Sequence, residues 1–292
     1  MILRFFFLER ESEKMEEKIT QMELEKLTPF KNHPFQVRQD EELEQLKESI
    51  SQYGVLTPLI VRPMADGTLE IISGHRRKLA AELLGLEKVP TIIRDLSEEE
   101  AVVLMVDSNI QRENLLPSEK AFAYRMKMEA LKHQGKRTLD QVEPNWSAKE
   151  IGKENNESMS QVKRYIRLTF LIAPILEMVD QKRISFSPAV ALSYLRPEEQ
   201  YVLIDMMRAE DCTPSLSQSI RLKKASQREI LDEEMMLEIM SEPKANQKEQ
   251  LKLPMERIKG YFPKDYSPEQ MEQTIIKLLQ QLERKRKNQQ ER

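Results

Sequence analysis

The chain has 292 residues, 33% of them charged and 6% aromatic, with seven glycines and a formal net charge of -3. Such a length accommodates two or three domains, and the composition points to a helix-rich protein with charged helical faces. The negative balance excludes a uniformly basic coat, so any nucleic-acid surface has to be local; the lone Cys212 excludes an internal disulfide and a multi-cysteine zinc site and suits a reducing cytoplasm.

The first residues, Met1 to Leu8, are apolar, but the charged residues from Glu9 onward and the lack of a small-residue cleavage site argue against a signal peptide. Met15 offers an alternative start. No apolar run reaches membrane-spanning length. Residues 9 to 26 are largely charged and are expected to form an exposed helix or to remain disordered. From Leu27 a Pro-punctuated extended segment leads into a helical pattern of Leu43, Leu46 and Ile50, closed by Gly54. Two apolar runs, Leu59 to Val61 and Leu69 to Ile72, flank Asp66-Gly67 and predict a hairpin.

The second strand stops at Gly74 and a helical segment follows at once, so His75, Arg76 and Arg77 should occupy a helix first turn. Cations there oppose the partial positive charge of the N-terminus, by a few tenths of a kcal/mol each, about the low end of dipole effects. A phosphate would remove the conflict: glycine allows close backbone approach, free N–H groups point outward, and guanidinium forks suit phosphate oxygens. Snorkelling into solvent or pairing with nearby Glu residues explains the same residues equally well. After Gly85 a short strand is expected at Val89 to Ile93, then a helix opened by a Ser97/Glu100 capping box. Asn109 and Arg112, three apart, could approach one ligand; a solvated helix end is the plainer explanation.

Pro117-Ser118 should open a long helix ending at Gly135. Beyond a loop holding Trp146, a capping box at Ser147/Glu150 opens a short helix, Asn155-Asn156-Glu157 makes a turn, and Ser158/Gln161 caps a second helix through Leu168. Short helix, tight turn and capped helix form a helix-turn-helix pattern. Five basic residues against Glu177 and Asp180 lie between Ser158 and Arg183. Ser160, Gln161 and Arg164 are candidate readers of base edges with Ser158 at the cap, and Lys163 and Arg167 candidate phosphate contacts. An ordinary helical hairpin with a basic face remains the alternative. Arg221, Lys223, Lys224 and Arg228 suit DNA backbone contact or a linker equally. Pro-marked helix starts at Ser187-Pro188, Arg196-Pro197 and Thr213-Pro214 precede this stretch, and beyond it come Leu251-Lys252-Leu253-Pro254 and a last helix from Ser267 with Met271, Ile275, Leu278, Leu279 and Leu282 on one stripe, ending in Arg284 to Lys287. That stripe packs either on its own domain or on a second copy of the chain.

The order of these parts, Gly74-His75-Arg76-Arg77, then Ser108-Asn109-Ile110-Gln111-Arg112, then the helix-turn-helix, resembles the ParB family of DNA partition proteins from Thr28 to Leu195. The resemblance implies an α+β fold class: a small α+β N-terminal nucleotide-binding domain over 28–117, an all-α helix-turn-helix DNA-binding domain over 118–226 and a mainly helical dimerisation unit over 227–292, after a charged leader over 1–27. It implies a homodimer bound to double-stranded DNA at a specific palindromic site, a partition ATPase as partner, and a cytoplasmic location on DNA with no membrane contact. It further implies CTP held by Gly74, His75, Arg76, Arg77, Ser108, Asn109 and Arg112, with Mg2+ at Asn109, driving closure of a clamp. His75 and Ser108 stand where the family has glutamates, which leaves binding intact and makes any CTPase activity low, since a hard cation prefers carboxylate oxygen. Sulfiredoxin-like enzymes share the N-terminal fold, but their chemistry needs a cysteine in the phosphate box, and this chain has none there. A helix-turn-helix transcriptional regulator without nucleotide and a nucleotide-dependent kinase using the same box are the alternatives.

Overall fold

The computed structural model describes residues 18–112, 114–138, 146–209, 211–242, 258–263, 266–267, 270–271 and 273–281. Two compact units divide at Ser241 and Glu242. Met1 to Leu8, Met15, Leu251 to Pro254, Leu282 and the basic end from Arg284 lie outside the described residues.

The first unit begins with a five-stranded mixed sheet in the order β1-β5-β3-β4-β2. Its strands are β1 (Ile19–Glu23), β2 (Leu27–Thr28), β3 (Leu59–Pro63), β4 (Leu69–Ser73) and β5 (Lys88–Ile93). The expected hairpin forms: β3 and β4 run antiparallel, and Gly67 at the turn takes φ +83°, a conformation glycine adopts without a steric penalty. The strand β1 corrects the expectation of a helix or disorder over 9–26 for its described part, 18–26, while residues 9–17 lie outside the described residues. Ile19, Gln21 and Glu23 are exposed while Thr20 and Met22 are half-buried, and β1 pairs antiparallel with β5 at the sheet edge. The strand itself carries one charge, Glu23, and shows only Met22 as an apolar residue on its inner face, so the charged run that precedes it disguises it in the sequence.

Alternation then sorts the core. Leu59, Val61, Ile71 and Val89 pack with Ala81 on one face, whereas Ile72 joins Phe30, Phe35, Ala101 and Met105 on the other. The helices around the sheet are α1 (Glu41–Tyr53), α2 (His75–Leu83) and α3 (Glu98–Asp107), the last opened by the expected Ser97/Glu100 capping box with both bonds present. A long helix α4 (Pro117–Thr138) follows and runs past Gly135, which was expected to end it, although glycine inside a helix costs about 1 kcal/mol.

The rest of the unit is helical: α5 (Trp146–Glu154), α6 (Met159–Leu168), α7 (Ala173–Asp180), α8 (Phe186–Leu192), α9 (Pro197–Ala209), α10 (Leu216–Gln227) and α11 (Glu233–Ser241). The start of α5 lies one residue ahead of the expected cap Ser147. Val162 and Ile166 of α6 share a core with Phe35 and Met105 of the sheet layer, and Tyr124 of α4 lies in the same cluster. Leu168 instead joins the second core built from α7 to α11. In the second unit, residues 270–271 and 273–281 are helical; Gln270 N–H donates to Ser267 Oγ at 3.3 Å, so the last helix is capped where expected. Among the described residues, no helix is long and apolar enough to cross a membrane.

Candidate nucleotide and DNA-binding sites

The strand-to-helix turn forms as the sequence predicts, with Gly74 at φ +111° as the N-cap of α2. A Cβ at this position would stand 2.7 Å from Leu59 Cγ, so both conformation and space require glycine. No side chain caps α2, and its first-turn N–H groups lack the usual oxygen partner. The two arginines are satisfied by protein. Arg76 Nη2 donates to Asp40 Oδ1 at 2.6 Å, with Glu42 3.3 Å from Nη1, and Arg77 Nη1 donates to the carbonyls of Thr57 and Pro58, each at 2.6 Å. Asp40 also caps α1, accepting from Leu43 N–H at 3.0 Å, and the Arg76 bond holds its carboxyl below the usual carboxylate range.

His75 faces the Pro-punctuated segment. Its ring centroid lies 4.0 Å from that of His33, and its Nε2 accepts from Phe30 N–H at 3.3 Å. Burial, then the charges of His33, Arg112 and Lys78, push its pKa down to about 3, so the imidazole is neutral at neutral pH. Burial lowers His33 as well; its Nδ1 lies 2.7 Å from Phe35 O, which fixes that nitrogen as the donor in a neutral ring. The segment is tied down along its length. Lys31 N–H donates to Glu70 Oε1 at 3.1 Å, and the same carboxylate forms a buried ion pair with Arg62 at 2.6 Å. Glu119, itself buried, accepts from Gln36 N–H and Leu116 N–H, both at 2.9 Å, and Arg38 lies 3.5 Å from it.

Arg112 stands with its guanidinium 6.0 Å from the Phe35 ring centroid. Burial is the main cause that lowers its pKa, with the Arg76 charge adding to it. No carboxylate among the described residues pairs with it at ion-pair distance, which makes it the cation of this region best placed for an anion. Asn109 and Ser108 are turned elsewhere. Asn109 is 4% exposed and its Nδ2 donates to Met105 O at 2.8 Å and Ser108 Oγ at 3.1 Å; Ser108 Oγ donates to Met105 O at 3.0 Å. They close the end of α3. The structure thus gathers His75, Arg76 and Arg112 with His33, Arg38, Asp40 and Glu119, none of the last four singled out from sequence. Only Asp40 carried a local signal, as an N-cap ahead of Glu41-Glu42-Leu43.

At Asn109 a hard cation finds no fit: the residue offers an amide, its neighbour a hydroxyl already bonded, and the adjacent Asp107 is bound by Lys127. Among the described residues, no group of three or more His, Cys, Asp or Glu side chains is arranged to hold a metal. An anion fits better, at the uncapped turn of α2 and at Arg112.

The helix-turn-helix is built by a close approach. A Cβ on Gly152 would stand 2.5 Å from Glu157 O, and Glu157 N–H donates to Gly152 O at 2.8 Å, so the turn closes only over glycine. Asn156 completes it at φ +54°. Ser158 Oγ accepts from Gln161 N–H at 3.1 Å and starts α6. Met159, Ser160 and Lys163 are exposed; Val162, Ile166 and Leu168 are buried. Arg164 is preset: Nη2 donates to Ser187 Oγ at 2.7 Å, Nη1 to Gln161 Oε1 at 3.2 Å, and the guanidinium covers the Phe186 ring at 4.9 Å. Arg167 donates to Ser193 O at 2.6 Å and Ser193 Oγ at 3.2 Å. Behind the turn, Glu157 accepts from Lys120 and, at 3.1 Å, from Tyr124 Oη, whose pKa burial and that carboxylate raise. Lys127, 1% exposed, reaches Asp107 on one side and Glu154 on the other, the latter at 2.6 Å.

Residues 8–110 match the model of the ParB N-terminal domain family. The chain is 37% identical over 171 residues to the probable chromosome 1-partitioning protein ParB of Deinococcus radiodurans, covering 59% of this chain and 54% of that one. It is 32% identical over 182 residues to the chromosome-partitioning protein Spo0J of Thermus thermophilus, covering 62% of each. The chain therefore spans less than two thirds of the length of these relatives. With the nucleoid occlusion protein of a Geobacillus species it shares 30% identity over 203 residues, 68% of each chain. A matched N-terminal domain carrying the Gly74 box, followed by the helix-turn-helix within a stretch aligned across two thirds of a relative, is why this chain belongs to the ParB family.

Proposed function

We propose that the chain is a sequence-specific, double-stranded-DNA-binding protein of ParB type that acts in partition of a plasmid, mobile element or chromosome and is switched by CTP. The observation that carries the DNA part is the capped helix α6, which exposes Met159, Ser160 and Lys163 beyond a turn closed over Gly152. Ser160, Gln161 and Arg164 read base edges in the major groove, and Lys163 holds phosphate. Arg164 needs no reorganisation to present a fixed fork, because Ser187 and Gln161 already orient it.

The nucleotide part rests on the uncapped first turn of α2, on Gly74 and on Arg112. The triphosphate lies against the N–H groups of residues 75–77, takes Arg112 as its partner, and competes with Asp40 for Arg76. His75 with a pKa near 3 is a weak base at neutral pH, and its Nε2 is engaged by Phe30, so the site favours binding over turnover. Asn109 and Ser108 support the end of α3 in this reading, and Mg2+ has no assigned ligand.

The functional parts are residues 28–117 for nucleotide, 118–226 for DNA and 227–292 for pairing with a second copy. Exposed Ile276, Leu278 and Leu279 on the last helix support the pairing role. A dimer implies a palindromic site. The working place is on DNA in the cytoplasm, with a partition ATPase as partner. The Geobacillus relative supports a second reading, nucleoid occlusion, with the same DNA chemistry and a different cellular outcome.

Calorimetry with CTP, with and without DNA from the region flanking the gene, tests the proposal. Micromolar CTP binding that changes with specific DNA supports it. Site-specific DNA binding with no CTP binding leaves a plain regulator, and phosphoryl transfer to an acceptor makes the protein a kinase.

A further inference from the structure

A row of alternating cations and aromatic rings runs across the helical part of the first unit. Arg125 of α4 lies 5.7 Å from the Phe170 ring centroid, and Arg167 of α6 covers the same ring at 4.4 Å. Arg167 also covers Tyr194 at 4.0 Å, and Lys223 of α10 covers Tyr194 at 3.6 Å. Five residues from three helices and two loops thus form one ladder whose middle rung lies on the recognition helix.

Two features separate this ladder from ordinary stapling of a bundle. The first is charge. Three like charges in a row repel, yet among the described residues only Arg125 has a carboxylate partner, Glu129 at 3.0 Å. Arg167 is half-buried with its pKa lowered by burial, and its hydrogen bonds go to Ser193, which carries no countercharge. The second feature is exposure: Phe170 is 52% and Tyr194 37% exposed, so the rings hold the cations at the surface rather than filling a core. Guanidinium and ammonium groups fixed at intervals by flat rings lose little conformational freedom when they meet anions.

We infer that this ladder is a track for the phosphates of one DNA strand, extending the interface from α6 to Arg125 on α4 and Lys223 on α10. The inference rests on the DNA-binding reading above and adds two elements to it. Phosphate tracking is independent of base sequence, so the ladder supports binding to any duplex and positions α6 for reading. The rings serve as spacers; Arg167, docked on Ser193 between Phe170 and Tyr194, is the fixed middle rung.

Lys223→Gln and Arg125→Gln, with folding verified by circular dichroism and thermal melting, are titrated against the specific duplex, a random duplex and a single strand of equal length over a range of salt. Each substitution should flatten the log–log dependence of affinity on salt by about 1 on both duplexes, and Lys223→Arg should restore it. Unchanged slopes and affinities on a duplex that still binds would overturn the track. A loss confined to the single strand would overturn it too, and would make the rings a base-stacking platform. Failure of the unsubstituted protein to bind any duplex would instead overturn the DNA-binding reading itself.

Discussion

Arg76 at the start of α2 and the two arginines of α6 handle charge in opposite ways. At α2, Arg76 is answered by carboxylates of another helix and Arg77 by two loop carbonyls. On α6, Arg164 and Arg167 bond to hydroxyls, an amide oxygen and a carbonyl, and lie on aromatic rings. Carboxylates cancel the charge, so an anionic ligand has to displace them. Neutral acceptors and rings hold the guanidinium in place and leave its charge available. The first arrangement suits a site that exchanges partners, the second a surface that stays ready.

Four measurements break or sharpen this contrast. The largest effect belongs to Gly152→Ala, where the added Cβ meets backbone at Glu157 O; we expect about 2–3 kcal/mol of lost stability, the range for overpacking against an unyielding neighbour, together with loss of DNA binding. Thermal melts of the variant read this directly, and a melt matching the parent would mean the turn has slack. Next, Arg164→Ala should weaken specific binding by roughly 1–3 kcal/mol and leave random-duplex binding less changed. Equal losses on both duplexes would move Arg164 from base reading to phosphate contact.

Third is pH. His75 titrates near its ordinary value of 6.5 when unfolded and at about 3 when folded, so the unfolded chain binds more protons between these values. The stability associated with a neutral His75 is complete above pH 6.5 and is lost as pH falls towards 3, and His33 acts in the same direction. At pH 5 the loss from His75 should reach about 1–2 kcal/mol, and His75→Gln should flatten the stability profile from pH 7 to 5. Parallel denaturant curves for parent and variant would remove His75 as the cause. The smallest effect is expected from Asp40→Asn, which keeps a capping side chain on α1 but releases Arg76. CTP affinity should rise two- to fivefold, about 0.5–1 kcal/mol, in the range of a partly exposed ion pair. A fall in affinity would show that Asp40 orients Arg76 instead of competing for it.

Much of this was legible in the chain because the signals were local. Asp66-Gly67, the Ser97/Glu100 box, Ser158 before Gln161 and the Gly74 turn each act within a few residues, and each element formed where expected. The edge strand β1 was not legible, because it is short, has only Met22 as an apolar residue on its inner face and follows directly on a charged run that resembles a leader. Gly135 misled because a single glycine is tolerated inside a helix at a cost of about 1 kcal/mol and so does not by itself mark an end. The partners of the site were hidden by distance: Asp40 meets Arg76 across 36 residues, and Phe30 meets His75 across 45. Nothing in the spacing of His33 and His75 announces that their rings touch.

Lys127 has a consequence for dissecting the molecule. Its ammonium is withdrawn from water between Asp107, at the end of α3, and Glu154, at the end of α5, while Val162 and Ile166 share a core with Phe35. A cut between α3 and α4 would leave Asp107 without its ammonium partner and Lys127 with Glu154 alone, and would open an apolar face on both fragments. The sheet layer and the reading head are therefore expected to melt in one transition, and an isolated half is a poor stand-in for the whole.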